Sequence, residues 1–221
     1  MKKLDRIQFP VPNCLSKYKY GMDAWSKLSK NTDDYNEIWD SLLPLQKNLC
    51  AYCECILNTK HVEHFFQRNT PGYEHLTFIW ENLFGSCCHK ERCGKYKDNK
   101  FKGSLEEIIK PDIDDPHEYF IFISTGMIVI KEDLNNTKKE KAEQTLLAFN
   151  LNRDITLIGS RRRAILSYKP IADEIYKCFE SELSNEDFIY FNELINEQID
   201  TIKDQEYSSA LKHLFQYNRD Y

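Results

Sequence analysis

The stretch NLCAYCEC, from Asn48 to Cys55, places the strongest constraint on what this chain can fold into. Cys50 and Cys53 have the C-x2-C spacing of a zinc knuckle, whose tight turn aims two thiolates at one metal. A tetrahedron needs two further ligands, and Cys87 or Cys88, together with Cys93, supplies them. The 33 residues between Cys53 and Cys87 are a long gap for a simple zinc finger. The metal is therefore expected to staple a subdomain that carries something else. The predicted ligands are Cys50, Cys53, Cys87 and Cys93. An all-thiolate set leaves no coordination position for water, so the zinc is expected to be structural. Cys55 reads as a spare on the strand leaving the knuckle, and Cys14 and Cys178 as core residues.

The chain has 221 residues, 41% of them hydrophobic and 29% charged, which suits one substantial core or a small site-bearing module fused to a helical one. No apolar run approaches the ~20 residues of a spanning helix, so no membrane association is expected. The opening MKKLDRIQFPVPN has no apolar signal region, which predicts a cytoplasmic location. Thiols stay reduced there, so the eight cysteines are read as metal ligands or buried apolar residues, not disulfides. A net charge of −5 argues against non-specific coating of nucleic acid. The charge is uneven, however. Lys90, Arg92, Lys95, Lys97, Lys100 and Lys102 form a basic run interrupted by Glu91 and Asp98. From Glu182 onward nine acids face Lys203, Lys212 and Arg219.

Apolar residues at Tyr35, Ile38, Trp39, Leu42 and Leu43 predict a helix over Asp33 to Lys47 that Pro44 closes. Turns and short β-rich runs follow to about Phe101. EYFIFISTGMIVIKED predicts a hairpin turning at Thr125-Gly126. Helices are expected from about Thr137. Asp154 caps one that runs through Arg163, Pro170 breaks or restarts it, and SNED from Ser184 is a capping box with Asp187 in the acidic position. The expected fold is α+β in four stretches: a helical segment over 1–48, a metal-bearing core over 49–103, a β-hairpin extension over 104–135, and a helical C-terminal region over 136–221.

The motifs LCAYCE, HVEHF, WENLFGSC and RCGKYKD, in that order, resemble the HNH endonucleases. Within that superfamily they resemble the PtuB-type nucleases of bacterial Septu and retron anti-phage systems. The likeness covers about Leu49 to Asp98 and continues more weakly through the hairpin and LLAFNLNRDITLIGSRRRAI. It implies a zinc-stapled ββα-metal element and metal-dependent cleavage of nucleic acid. It also implies a PtuA-like ATPase partner and, in a retron setting, a reverse transcriptase with its nucleic acid. By resemblance His64 is the general base, Asn82 the middle residue of the motif, and Lys97 the lysine that follows the last cysteine. The motif's third residue, His or Asn directly after that cysteine, is missing, because Gly94 and Lys95 stand there.

The chemistry of the residues agrees with these roles. An imidazole titrates near operating pH, which suits His64 as a base. Glu63 is a hard oxygen donor for Mg²⁺ or Mn²⁺. Asp98 is the candidate second oxygen ligand, with His89 a poorer one. Asn82 can fix the base or the loop around the metal. Lys97 is placed to meet phosphate, in a nucleic-acid-binding set with Lys90, Arg92, Lys95 and Lys100. Glu63 and His64 point to opposite faces of an ideal strand, so both reach one metal only where the strand ends or bulges.

The remaining candidates read more plainly. His61 is structural or flanking, and His75, His117 and His213 are isolated. Arg161, Arg162 and Arg163 either grip nucleic acid or form a solvated helical face, while Phe188, Tyr190 and Phe191 pack. The apolar pattern after Glu182 suits partner docking or ordinary core packing. The leading expectation is an anti-phage nuclease. Its rivals are a zinc-stapled binding module without catalysis and a stand-alone HNH restriction-type enzyme.

Overall fold

Asn31 accepts a hydrogen bond from the Asp34 amide and so starts a helix whose inner face is Ile38, Trp39, Leu42 and Leu45. In the computed structural model, which describes residues 1–179 and 184–217, this is α2 (Thr32–Gln46), preceded by the short α1 (Trp25–Ser29). Pro44 does not close α2. The helix runs on to Gln46, and Lys47, at φ 54°, ends it. A proline this near the end removes only its own amide from the ladder, and the Asn48 amide turns back to the Leu43 carbonyl at 2.8 Å.

After the cysteine knuckle, β1 (Lys60–His64) pairs antiparallel with β2 (Leu83–Cys87), in a register that sets Lys60 opposite Cys87 and His64 opposite Leu83. α3 (Cys93–Lys100) follows directly. The expected hairpin is β3 (Phe120–Phe122) with β4 (Ile128–Ile130). Its turn contains Gly126 at φ 85°, where an added Cβ would overlap the Ile158 carbonyl, so only glycine lets the turn seat on the following helix.

The helical half comprises α4 (Asn136–Ala148), α5 (Ile155–Lys177), α6 (Asn185–Ile202) and α7 (Ser208–Tyr217). Asp154 caps α5 by accepting from the Thr156 and Leu157 amides, and α5 passes straight through Pro170 instead of breaking there. Ser184 and Asp187 form the capping box of α6. Among the described residues this is a mixed α+β chain of seven helices and two small antiparallel strand pairs. None of these helices is long and apolar enough to cross a membrane.

The buried side chains from all four stretches, from Leu4 through Phe84 and Phe120 to Phe215, form one cluster. Several expectations change as a result. Leu211, Leu214 and Phe215 of α7 are buried, because α7 packs on α5, α6 and β3. Within the docking segment expected over Glu182 to Tyr221, α7 is therefore core, whereas α6 buries only Ile195 and Ile202 and is otherwise mostly exposed. Its residues 182, 183 and 218–221 lie outside the described residues. Among the described residues, the large apolar groups it leaves exposed are Phe188, Ile189 and Tyr190 at the start of α6 and Tyr217 at the end of α7. Cys14 is buried as expected, but Cys178 is exposed, at the end of α5. Arg161 is buried and donates to the Leu151 carbonyl, so only Arg162 and Arg163 of the arginine triplet face solvent.

His117 and His213 are not isolated. The Phe122 amide donates to His213 Nδ1 at 2.9 Å, which leaves the proton on Nε2 to donate to His117 Nδ1 at 3.1 Å. A second proton on His213 would set two donors against each other. Burial lowers His117 to about 4 and His213 to about 3, with Lys212 adding repulsion to both. The folded chain thus keeps both rings neutral where the unfolded chain would bind protons. Their contribution is complete above about pH 6.5 and is lost as pH falls towards 4, at ~1.4 kcal/mol per pH unit for each ring. Urea melts between about pH 7 and pH 5 should show this slope, to which the buried His64 adds, and His213→Gln should reduce it by about one ring's share. Equal slopes in the two proteins would refute the assignment.

Candidate metal centre and the adjoining charge cluster

The knuckle is built by backbone hydrogen bonds. The Cys50 amide donates to the Cys55 carbonyl at 2.8 Å, and the Glu54 amide to the Cys50 carbonyl at 3.0 Å. Glu54 closes the turn in the left-handed region at φ 63°. The Ala51 amide donates to the Gly85 carbonyl at 3.1 Å, fixing the knuckle to β2. Gln46, at the end of α2, locks the same joint. Its Nε2 donates to the Leu49 and Gly85 carbonyls and its Oε1 accepts from the Gly85 amide. Cys87 ends β2, and Cys93, at φ 58°, begins α3.

This arrangement brings Cys50, Cys53, Cys87 and Cys93 together with all four sulfurs within 4.8 Å of one another, every one buried. Tetrahedral zinc at ~2.3 Å from each sulfur separates them by about 3.8 Å, so the donor set fits. Burial pushes the Cys93 thiol well up in the absence of a cation, and a bound zinc reverses that preference. The Cys87 amide points at Cys50 Sγ, 3.4 Å away, as a donor to a thiolate does. The choice between Cys87 and Cys88 falls to Cys87. Cys88 lies outside the cluster with its Sγ 3.8 Å from His61 Nδ1. Cys55 adjoins the cluster, 3.4 Å from Cys53 Sγ.

β1 stays regular to its end, so Glu63 and His64 face opposite ways. Glu63 faces α3. Its Oε1 meets Lys97 Nζ at 2.9 Å and its Oε2 meets His61 Nε2 at 3.2 Å. Lys97 is fully buried. Its ammonium also reaches Asp98 Oδ1 at 2.7 Å and the carbonyls of His64 and Phe65 at 3.1 and 2.9 Å. Burial works against both charges of the pair. Even so, Lys97 holds the Glu63 carboxyl below its usual range, and Glu63 and Asp98 hold the Lys97 ammonium above its own. Burial and the Glu63 charge raise Asp98.

An ammonium thus stands where the sequence suggested a divalent ion between Glu63 and Asp98. Gly94 adds no ligand, and a Cβ there would overlap the Glu63 carboxylate. The residues as arranged do not fit Mg²⁺ or Mn²⁺.

On the other face, His64 Nε2 lies 3.0 Å from the Thr77 carbonyl, and its ring meets Trp25 of α1 edge-on at 4.4 Å. Burial and then Arg68 lower it to about 4. Asn82 holds the loop after β1. Its Oδ1 accepts from the Phe66 amide at 2.8 Å, and its Nδ2 donates to the Phe66 and Leu76 carbonyls. Of the basic set, Lys90 and Lys100 are exposed, Lys95 is half-buried, and Arg92 pairs with Asp154 at 2.8 Å. Lys97 lies beneath that surface, with no route to phosphate. His89 lies 3.6 Å from Asp154, away from Glu63's partners.

Sequence reasoning passed over His61 as a partner of Glu63, and Gln46 altogether. The two-residue spacing of His61 and Glu63 on one strand carried the first signal. Nothing local marked the second.

No family model matches the chain. It is similar to the Septu protein PtuB of Bacillus mycoides (strain KBAB4), at 30% identity over 131 residues, 47% of this chain and 43% of that protein. It is also similar to the Septu protein PtuB of Bacillus thuringiensis, at 26% identity over 201 residues, 72% of this chain and 76% of that protein. The chain thus matches less than half the length of the first relative and about three quarters of the second.

Protein purified without chelator should carry one zinc, and Cys53→Ser should lose it with a large drop in melting temperature. Structural zinc is worth on the order of 10 kcal/mol in small modules. Cys88→Ser should keep the metal. Metal analysis that finds no zinc in the unsubstituted chain would remove the centre.

Proposed function

We propose that the chain is the nuclease of a Septu-type anti-phage defence system, an HNH endonuclease that hydrolyses phosphodiester bonds of nucleic acid beside a PtuA-like ATPase. One observation carries this reading: a four-cysteine cluster ties the knuckle, β2 and α3 together, and the segment it encloses carries Glu63, His64 and Asn82 in the motif's order. The similarity to two Septu PtuB proteins supports the defence setting. On this reading residues 49–103 are the nuclease core, and the rest of the chain packs around it.

His64 is the general base. The Thr77 carbonyl takes the Nε2 proton, so Nδ1 carries the lone pair that can accept one from water. Burial keeps the ring neutral, which is the form a base needs. Asn82 holds the loop that the base leans on. Lys90, Lys95, Lys100 and Lys102 draw in the substrate backbone. That small footprint, on a chain of net charge −5, leaves most of the grip to a partner.

A second reading, a zinc-stapled module without catalysis, draws on the Lys97 ammonium seated between Glu63 and Asp98. Cleavage of plasmid and RNA by the chain co-expressed with its ATPase separates the two. The nuclease reading expects cutting that His64→Ala reduces by ~10²–10⁴-fold with zinc content and melting preserved. A His64→Ala protein cutting within a few-fold of the unsubstituted chain would dismiss His64 as base. Complete inactivity of the unsubstituted complex would favour the module.

A further inference from the structure

We propose that Lys97 is the resident cation of the Glu63–Asp98 site and that the folded chain, in this state, is closed to Mg²⁺ and Mn²⁺. This deepens the nuclease reading and rests on it, because it assigns a gate to the same site.

Four oxygens surround the Lys97 ammonium: Glu63 Oε1 at 2.9 Å, Asp98 Oδ1 at 2.7 Å, and the His64 and Phe65 carbonyls at 3.1 and 2.9 Å. Two carboxylates and two carbonyls are the hard donors a divalent ion would use. The Glu63 carboxylate and the two carbonyls are turned inward onto a side chain with no solvent exposure, while Asp98, exposed on its outer side, turns one oxygen to it. An ion entering here would have to displace a buried ammonium, and the two cannot share the site, since like charges a few ångströms apart in a low dielectric repel strongly.

Gly94 closes the site from the other side. It lets the Glu63 carboxylate lie against the first turn of α3, in space that any larger side chain would take. The absence of a third ligand and the inward lysine are therefore one arrangement: the carboxylate that loses a ligand neighbour gains an ammonium. Lys97 also grips both carbonyls at the end of β1, so displacing it frees the backbone beside His64.

The test is Mn²⁺ binding to the zinc-loaded full chain, followed by calorimetry and by the electron paramagnetic resonance of free Mn²⁺. Thiolates do not retain Mn²⁺, so the zinc centre does not interfere. The unsubstituted chain should bind no stoichiometric Mn²⁺. Lys97→Ala, which removes the charge and opens space, should bind one Mn²⁺ per chain and melt higher in its presence. Adding Glu63→Gln should abolish that site, and Lys97→Met, which removes the charge but fills the space, should not create it. If Lys97→Ala does not fold, Lys97→Ser replaces it. One Mn²⁺ bound by the unsubstituted chain and lost in Glu63→Gln overturns the proposal, as does a folded Lys97→Ala that binds none. The nuclease reading fails separately, by absence of cleavage in every variant with its ATPase, whatever Mn²⁺ does.

Discussion

The joint at the cysteine cluster is the constraint on which the rest of the chain depends. Cys50 and Cys53 lie on a turn, Cys87 on a strand end and Cys93 on a helix start, and none of these short elements buries enough apolar surface to hold its place alone. β1 and β2 are five residues each and α3 is eight. They share the apolar cluster of the rest of the chain, and a metal held by the four cysteines would join them to one another directly. The knuckle also reaches outward. Glu54, directly after Cys53, accepts from Ser208 Oγ at 3.0 Å and the Ser209 amide at 2.9 Å, while its carbonyl accepts from the Tyr207 amide. The start of α7 is thus tied to the metal turn. The last described helix is thereby anchored to the knuckle.

Next to the stapled joint, charge is balanced inside the protein. A buried carboxylate alone would be raised until it bound a proton. Glu63 stays ionised because Lys97 lies at 2.9 Å and His61 at 3.2 Å. Pairs of this kind add little net stability against an apolar replacement, because desolvation consumes the attraction, but removal of one partner costs about 3–5 kcal/mol. The pair is better understood as fixing a geometry: it sets where α3 lies on β1 and excludes any third group from between them.

How far the sequence revealed this follows from the range of each interaction. The cysteine cluster was legible because its spacing is itself the geometric requirement, with two residues between the members of one pair in a turn. The caps at Asp154 and Ser184 were legible for the same reason, since a side chain meets amides two or three positions on. Pro44 and Pro170 were misread as helix ends because tertiary packing overrides the loss of a single amide bond. α7 was undecidable from its pattern, because Leu211, Leu214 and Phe215 form the same stripe whether they meet a partner or a core. Lys97 was the hardest. α3 is polar, its basic residues look alike in sequence, and only the position of β1 against it selects which one turns inward.

That selected lysine also resolves the conflict between strand geometry and a shared site. Glu63 and His64 alternate across β1, so the carboxylate and the imidazole never converge on one point. The backbone between them is what they share. Lys97 binds the Glu63 carboxylate on one face and the carbonyls of His64 and Phe65 along the strand end. Its position is therefore felt on the His64 side through the chain itself, without any side chain crossing the sheet. Asn82 clamps the same segment from beyond Phe66, and the Asn82 carbonyl takes the Phe65 amide at 2.9 Å. The strand end that carries His64 is thus held from two directions, by the Asn82 amide contacts and by the Lys97 ammonium. On the proposed reading, exchange of the Lys97 ammonium for another cation and a shift of His64 would be one movement, because both hang on the backbone of His64 and Phe65.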